Sequence, residues 1–408
     1  MNQKMLIQSG DLGDNYTMVW EIIAWIGVAF CAVPLLFLTL EALASLIPRR
    51  YRLFQGSRPN CVVLIPAHDE ASGISLTLAK INKQLQAGDR VVVVADNCSD
   101  ATAQLAKEAG AEVLERFSET KRGKGFALDF GLRYLEANPP EYVVILDADS
   151  DLEEGSLNQL IHQCHQTQLP TQAIYLIGTG REPDPKRRFS AFAVLLKNKI
   201  RPLGLNNLGL PVLLTGTGMA FPWKVLRSVH LGTGNIVEDM KLGLDLARGG
   251  YPPKLCPLAW ANGAAAPDLE STKKQRTRWE QGHLRTLLRE SPKLFLNGLL
   301  RLNIKRVALA MELGIPPLSL LGLVVLSCLI YLIITIFLFS TNYIPLMILI
   351  FLIIITFQSI VLAALAHGRD RFSLTDLTIM PIYLAWKVPI YLGSLLRPEK
   401  RWVRTKRD

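Results

Sequence analysis

The chain has 408 residues, 50% of them hydrophobic, with a mean hydropathy of +0.24, which leaves room for one large soluble domain together with membrane spans. Much of its formal net charge of +10 lies beside apolar segments, at Arg49, Arg50 and Arg52 and again at Lys400, Arg401, Arg404, Lys406 and Arg407; this favours membrane lipids over nucleic acid as the partner, and no zinc-finger spacing or aromatic RNA-binding signature is present. The six cysteines form no C-x-x-C pair, which argues against a disulfide framework or zinc site and fits free thiols in a reducing, cytosol-facing domain.

In chain order, residues 22–40 are uncharged and long enough to span a bilayer. Acidic Asp11 and Asp14 precede them and arginines follow, so 1–50 reads as an uncleaved anchor with its N-terminus outside. Residues 51–290 alternate apolar β-runs at 61–65, 91–95, 142–146 and 174–177 with helical patterns such as 101–109, stopped by Gly110. That alternation predicts a doubly wound α/β domain on the cytoplasmic side. Residues 291–310 form an amphipathic segment, with Leu294, Phe295, Leu299 and Leu302 among Lys293, Arg301, Lys305 and Arg306. It suits the membrane interface and packing against the domain equally. Within 311–367, positions 313–366 carry no charge and hold two spans hinged near Ser340-Thr341-Asn342-Tyr343. The remainder, 368–408, combines a stretch at 377–396 that carries Pro381, Lys387 and Pro389 with a basic tail. A re-entrant or interfacial path there keeps domain and tail on one side.

The candidate chemistry sits where predicted strands end, the ligand edge of an open α/β sheet. Pro66-Ala67-His68-Asp69-Glu70 leaves the first strand and Asp96 the second; both can face a ribose or base, or cap the following helices. In Arg122-Gly123-Lys124-Gly125, Lys124 is a point charge for a phosphate at a helix start. The buried run Tyr142-Val143-Val144-Ile145-Leu146 ends in Asp147-Ala148-Asp149. Alternation along an extended chain turns both carboxylates one way, and two hard oxygen donors suit Mg2+ or Mn2+ on a diphosphate. Glu238-Asp239 opens a helical stretch, where adjacent carboxylates raise each other's proton affinity and equip one as a base, or simply favour a helix start. Gln275, Arg278 and Trp279 stand at i, i+3 and i+4 on one helix face, either a phosphate-and-acceptor surface or a basic membrane-proximal helix.

Taken in order, the D-x-D, E-D and Q-x-x-R-W motifs resemble the membrane-bound family-2 glycosyltransferases, inverting enzymes with a GT-A, Rossmann-like nucleotide-sugar domain, over roughly 61–283. The branch with Q-x-x-R-W includes cellulose, hyaluronan and poly-N-acetylglucosamine synthases and ceramide glucosyltransferase. The resemblance implies that Pro66, Ala67, His68, Glu70 and Asp96 hold the uridine and ribose of a UDP-sugar, with Lys124 on the diphosphate side. It implies that Asp147 and Asp149 bind the nucleotide-sugar and a Mg2+ or Mn2+ ion, and that Asp239 is the catalytic base. Gln275, Arg278 and Trp279 would hold the diphosphate and the acceptor end, while Gly216, Gly218 and Glu238 would shape the acceptor pocket. The implied setting is a bacterial inner membrane, with a glycan acceptor in cell-envelope or exopolysaccharide synthesis, or a lipid acceptor in single transfers; any secretion or assembly partner is unspecified. Two departures stand out. Asp69 occupies a position where asparagine is common, and no gating-loop motif follows Trp279, which leaves polymer translocation without its usual sequence mark.

Overall fold

The computed structural model describes residues 3–178, 185–232, 237–264 and 269–368, with positions 378, 384, 385, 387, 388 and 391; side chains at 3–16, 185–186 and 269–276 are outside the description. The strands are β1 (Cys61–Ala67), β2 (Arg90–Asp96), β3 (Glu112–Arg116), β4 (Tyr142–Ile145), β5 (Ser150–Leu152), β6 (Thr171–Ile177), β7 (Met219–Pro222) and β8 (Lys254–Gly263). The helices begin with α1 (Gln3–Ser45), α2 (Ile74–Asn82), α3 (Thr102–Glu108), α4 (Lys124–Leu135) and α5 (Ser156–Thr167). Then come α6 (Pro185–Leu195), a π-helical turn at Leu196–Ile200, α7 (Arg201–Asn207), α8 (Trp223–Leu226) and α9 (Glu238–Arg248). Last are α10 (Leu269–Leu300), α11 (Ile304–Gly314), α12 (Leu318–Phe339) and α13 (Ile344–His367).

Alternation along β1 explains why the domain is three layers thick. Cys61, Val63 and Ile65 enter one core with Leu78 of α2 and Leu160 of α5. Val62 and Leu64 enter another with Leu132 of α4 and Leu246 of α9. A strand apolar at every position is one covered on both faces. The sheet order is β3-β2-β1-β4-β7-β6-β8-β5. Its first half is parallel, with Ala67 opposite Ala95 and Leu64 opposite Ile145, so the chain leaves β1, β2 and β4 along one edge. Its second half is mixed, because β7 runs antiparallel to both β4 and β6. The expected doubly wound domain is therefore parallel only on one side, a point that four apolar residues at β7 cannot disclose.

Among the described residues, three helices are long and apolar enough to cross a membrane: Thr17–Ser45, Leu318–Phe339 and Ile344–His367. They flank the α/β domain, one before it and two after. Thr39 and Thr356 share a hydrogen bond at 2.9 Å between α1 and α13, a polar link of the kind that joins helices where no water competes. A third core runs from Leu35 of α1 and Leu349 of α13 through Phe192 and Leu203 to Ile174 of β6, so the spans are packed onto the sheet and not merely tethered to it. The amphipathic segment divides its loyalties. Leu294 is buried against Leu309 and Leu313 of α11, whereas Leu300, Leu302 and Ile304 are exposed. It also starts earlier than expected, since α10 continues through Pro292. Of 377–396, Lys387 is buried and donates to Glu280 Oε1 at 2.6 Å, while Tyr391 reaches Glu280 Oε2 at 2.9 Å. The tail lysines and arginines from 400 onward lie outside the described residues.

One buried ionic knot ties the anchor to the domain. Arg201 Nε donates to Glu41 Oε2 of α1 at 2.8 Å, and its Nη2 to Glu312 Oε2 of α11 at 2.6 Å. All three side chains are at most 7% exposed. Replacing Arg201 by Met leaves two buried carboxylates without their cation, and breaking such a pair costs about 3–5 kcal/mol. The Arg201→Met protein should therefore melt well below the wild type in detergent. An unchanged melting temperature would show that the knot carries no net stability.

Candidate active site

Two strand ends are laced together before any ligand arrives. After β1 the backbone turns left-handed at Asp69 (φ 51°), and after β2 at Asn97 (φ 53°), conformations that Asn and Asp tolerate best. Asp69 accepts from the Ser99 backbone at 2.6 Å, Glu70 N donates to Thr102 Oγ1 at 2.8 Å, and His68 Nδ1 lies 2.7 Å from the Asp96 carbonyl. Asp96 itself is ion-paired with Arg116. Asp69, where asparagine was the commoner residue, thus serves as the tie between the loops. Together with Cys98 and Asp100 it brings three ligand-type atoms within 4.8 Å. Asp100 already accepts from Ala71 N and Thr102 N, so these carboxylates are occupied in holding loops.

The β4 end faces them. Asp147 and Asp149 are half-buried on either side of fully buried Ala148. The Asp147 backbone donates to Thr217 Oγ1 at 3.0 Å, and its Oδ1 lies 2.5 Å from Lys124 Nζ. Lys124, at the first turn of α4, also donates to the Gly216 carbonyl at 2.6 Å. Glu238 and Asp239 enter from the N-terminus of α9. Gly216 lies at the crossing: its φ is +95°, and a Cβ there would stand 3.3 Å from Asp239 Oδ2 and 3.7 Å from Lys124 Nζ. Only glycine combines that backbone with that clearance.

A cavity of 420 Å³ opens between these elements. Pro66, Ala67, His68, Glu70 and Asp96 form one flank, and Lys124, Asp147, Asp149 and Gly216 the floor. Glu238, Asp239, Arg278 and Trp279 complete the polar wall. Gly218 is not on this wall; a side chain there would press on Ala173 of β6 and Ala261 of β8. The Gln275 side chain lies outside the described residues. Motifs as far apart in the chain as Pro66 and Trp279 thus converge.

The electrostatics are those of carboxylates held short of water. Burial pushes the Glu238 carboxyl up to about 7, against the pull of Lys124 and with the repulsion of Asp239. Burial also raises Asp239, opposed by Lys124 and Lys197. Lys124 is driven the other way by burial, but Asp147, Glu238 and Asp239 outweigh that and hold it charged. An acid whose folded value exceeds its unfolded one makes the native state bind more protons. Its contribution is present below the ordinary 4.5 and is lost as pH rises through about 7. Glu238→Gln should therefore leave the melting temperature unchanged near pH 4.5 and raise it relative to wild type at pH 8. Parallel melting curves over that range would remove the raised proton affinity.

Two wall residues escape the motif reading. Lys197 lies in the π-helical turn and is the first charge after the apolar run Ala191–Leu196, and that break in apolarity is the signal that could have found it. His283, four positions after Trp279, is buried with Nε2 at 3.1 Å from the Leu313 carbonyl. Burial pushes it down to about 3, so it is neutral.

A sequence-family profile described as Glycosyl transferase family group 2 matches residues 142–361, more than half of the chain, from the strand that delivers Asp147 into the last span. The chain belongs to that family. A second profile, Glycosyl transferase family 2, matches 62–221. Uncharacterized glycosyltransferases of Mycobacterium tuberculosis and Mycobacterium bovis are 34% identical over 99 residues, 24% of this chain; the match spans 41% of their length. Among solved structures, the mannosyltransferase PcManGT of Pyrobaculum calidifontis, in complex with GDP-Man and Mn2+, superposes with a TM-score of 0.59 at 16% identity. That likeness covers 93% of this chain and all of that one. This family-2 glycosyltransferase therefore has a GT-A fold with three candidate membrane helices around it.

Proposed function

We propose that the chain moves a sugar from a nucleoside diphosphate sugar to a hydroxyl acceptor with inversion, with Asp239 as the base and the domain on the cytoplasmic face. The observation that carries this reading is the meeting of Lys124, Asp147 and Asp239 around Gly216 in one cavity. Asp239 removes the acceptor proton as the oxygen attacks the anomeric carbon. Positive charge develops on the sugar and negative charge on the departing diphosphate, which Lys124 and Arg278 are placed to meet. Asp147 and Asp149 both open onto the cavity, and two hard carboxylate oxygen donors fit Mg2+ or Mn2+. When bound, such an ion supplies charge for the diphosphate oxygens. The PcManGT structure holding Mn2+ supports that choice.

The donor base follows from the resemblance, which favours uridine, while PcManGT was solved with GDP-Man; both belong in the first assay. For the acceptor, a glycan is the family expectation. A specific feature favours a lipid: the lining that holds the carboxylates also includes Leu38 of the first span, Leu318 of the second and Ile315 before it. A cavity walled by membrane-spanning helices admits an acceptor from the bilayer. Membranes holding the full chain, incubated with a panel of UDP- and GDP-sugars, test this directly. Released nucleoside diphosphate identifies the donor, and product sizing separates one glycolipid from a ladder of sugars. No release with any sugar would end the transferase reading.

A further inference from the structure

Two lysines of different character act on Asp239. Lys124 belongs to the donor floor, ion-paired with Asp147 and bonded to Gly216. Lys197 is the second cation acting on Asp239, and apart from Asp239 its charged neighbours are Arg201, Glu312 and Glu280. Those groups are committed elsewhere. Arg201 is locked between Glu41 and Glu312, and Glu280 holds Lys387 and Tyr391. Lys199, two positions on, is likewise spent, donating to the His367 carbonyl at 2.6 Å and lying over Trp260. Among the described residues Lys197 alone of these cations makes neither a hydrogen bond nor an ion pair.

An ammonium facing a partly apolar cavity without a bonded partner is costly. Burial lowers its proton affinity, and an anion arriving with a ligand would hold it charged. The π-helical turn that carries it is a register defect of the kind found at functional sites; one extra residue in the turn aims Lys197 at the cavity and Lys199 at α13. The same wall supplies the surroundings. Phe189 and Val194 of α6, Leu38 of α1 and Leu318 of α12 line it beside Lys197, and Leu38 and Leu318 belong to helices able to cross a bilayer.

We infer that Lys197 binds the anionic headgroup of an amphiphilic acceptor, a phosphate or carboxylate, whose apolar chain lies against Leu38, Val194 and Leu318 and whose hydroxyl is presented to Asp239. This builds on the transferase reading by naming the acceptor's chemistry. Diphosphate on the donor side meets Lys124, and the acceptor's own charge meets Lys197, so each anion has its own lysine.

The test is equilibrium binding, which needs no turnover. Purified full-length protein in neutral detergent is titrated with dodecyl phosphate, dodecanoate, dodecanol and inorganic phosphate. A charge-assisted hydrogen bond is worth about 1.5–3 kcal/mol, so at least one anionic amphiphile should bind about tenfold or more tighter than dodecanol. Lys197→Met should abolish that preference and Lys197→Arg keep most of it, while Lys124→Met leaves it in place. Unaltered melting of Lys197→Met confirms that the fold survives. The inference is overturned if wild type shows no preference for either anion-bearing chain, if Lys197→Met keeps it, or if Lys124→Met removes it instead. Inorganic phosphate binding as tightly as dodecyl phosphate would overturn the apolar half and leave a free-anion site. A protein that shows this binding yet releases no nucleoside diphosphate from any sugar fails as a transferase without touching Lys197's role.

Discussion

Asp239→Asn should lower sugar transfer by about two to four orders of magnitude, the usual worth of a positioned general base, while nucleotide binding stays near wild type. The substitution removes the proton acceptor but keeps the shape at the start of α9, where Asp239 Oδ2 sits above Gly216. It also removes one of the carboxylates that hold Lys124 charged, but Asp147 remains bonded to Lys124 at 2.5 Å, so the donor floor survives. Glu238 is the internal control. It shares the burial and the raised proton affinity, and if the assignment is wrong by one residue, Glu238→Gln will show the large loss and Asp239→Asn the small one. Single-turnover transfer with bound nucleotide measured alongside decides it. Turnover within tenfold of wild type for Asp239→Asn would remove this residue as the base.

The donor half of the site was legible in the residues because local signals and topology agree there. Each of 61–65, 91–95 and 142–146 is apolar at every step and then breaks into polar residues, and parallel strands bring such breaks to one edge. The membrane half was not. Lys197 matters only because a π-turn aims it at a cavity assembled from α1, α6 and α12, and no spacing along the chain records that meeting. Gly216 and Gly218 show the same limit at closer range. They share one motif, yet Gly216 faces Asp239 and Gly218 the strands β6 and β8, since the chain turns between them into β7. Helix α10 contains Pro292, a residue that local propensity disfavours inside a helix. Packing of Leu294 against α11 carries the helix through it.

Removing divalent metal should cost on the order of a thousandfold in transfer, since charge stabilisation at a departing diphosphate amounts to several kcal/mol and each ~1.4 kcal/mol is tenfold. The residues argue why Lys124 alone does not suffice. It is already shared between Asp147 and the Gly216 carbonyl, and a nucleoside diphosphate beside Asp147, Asp149, Glu238 and Asp239 would add anion to anion. Lys124 and Arg278 supply two positive charges against that array; a divalent ion held by Asp147 and Asp149 would supply the rest. Chelator should therefore silence the enzyme, and Mn2+ or Mg2+ in excess should restore it. Asp149→Ala should show the same loss without restoration at ordinary metal levels, with an unchanged melting temperature as the check that its fold survives. Full transfer in chelator, together with a near-normal Asp149→Ala, would instead make Lys124 and Arg278 the whole diphosphate site. In that case Lys124→Met would have to carry the thousandfold effect that is here assigned to the metal.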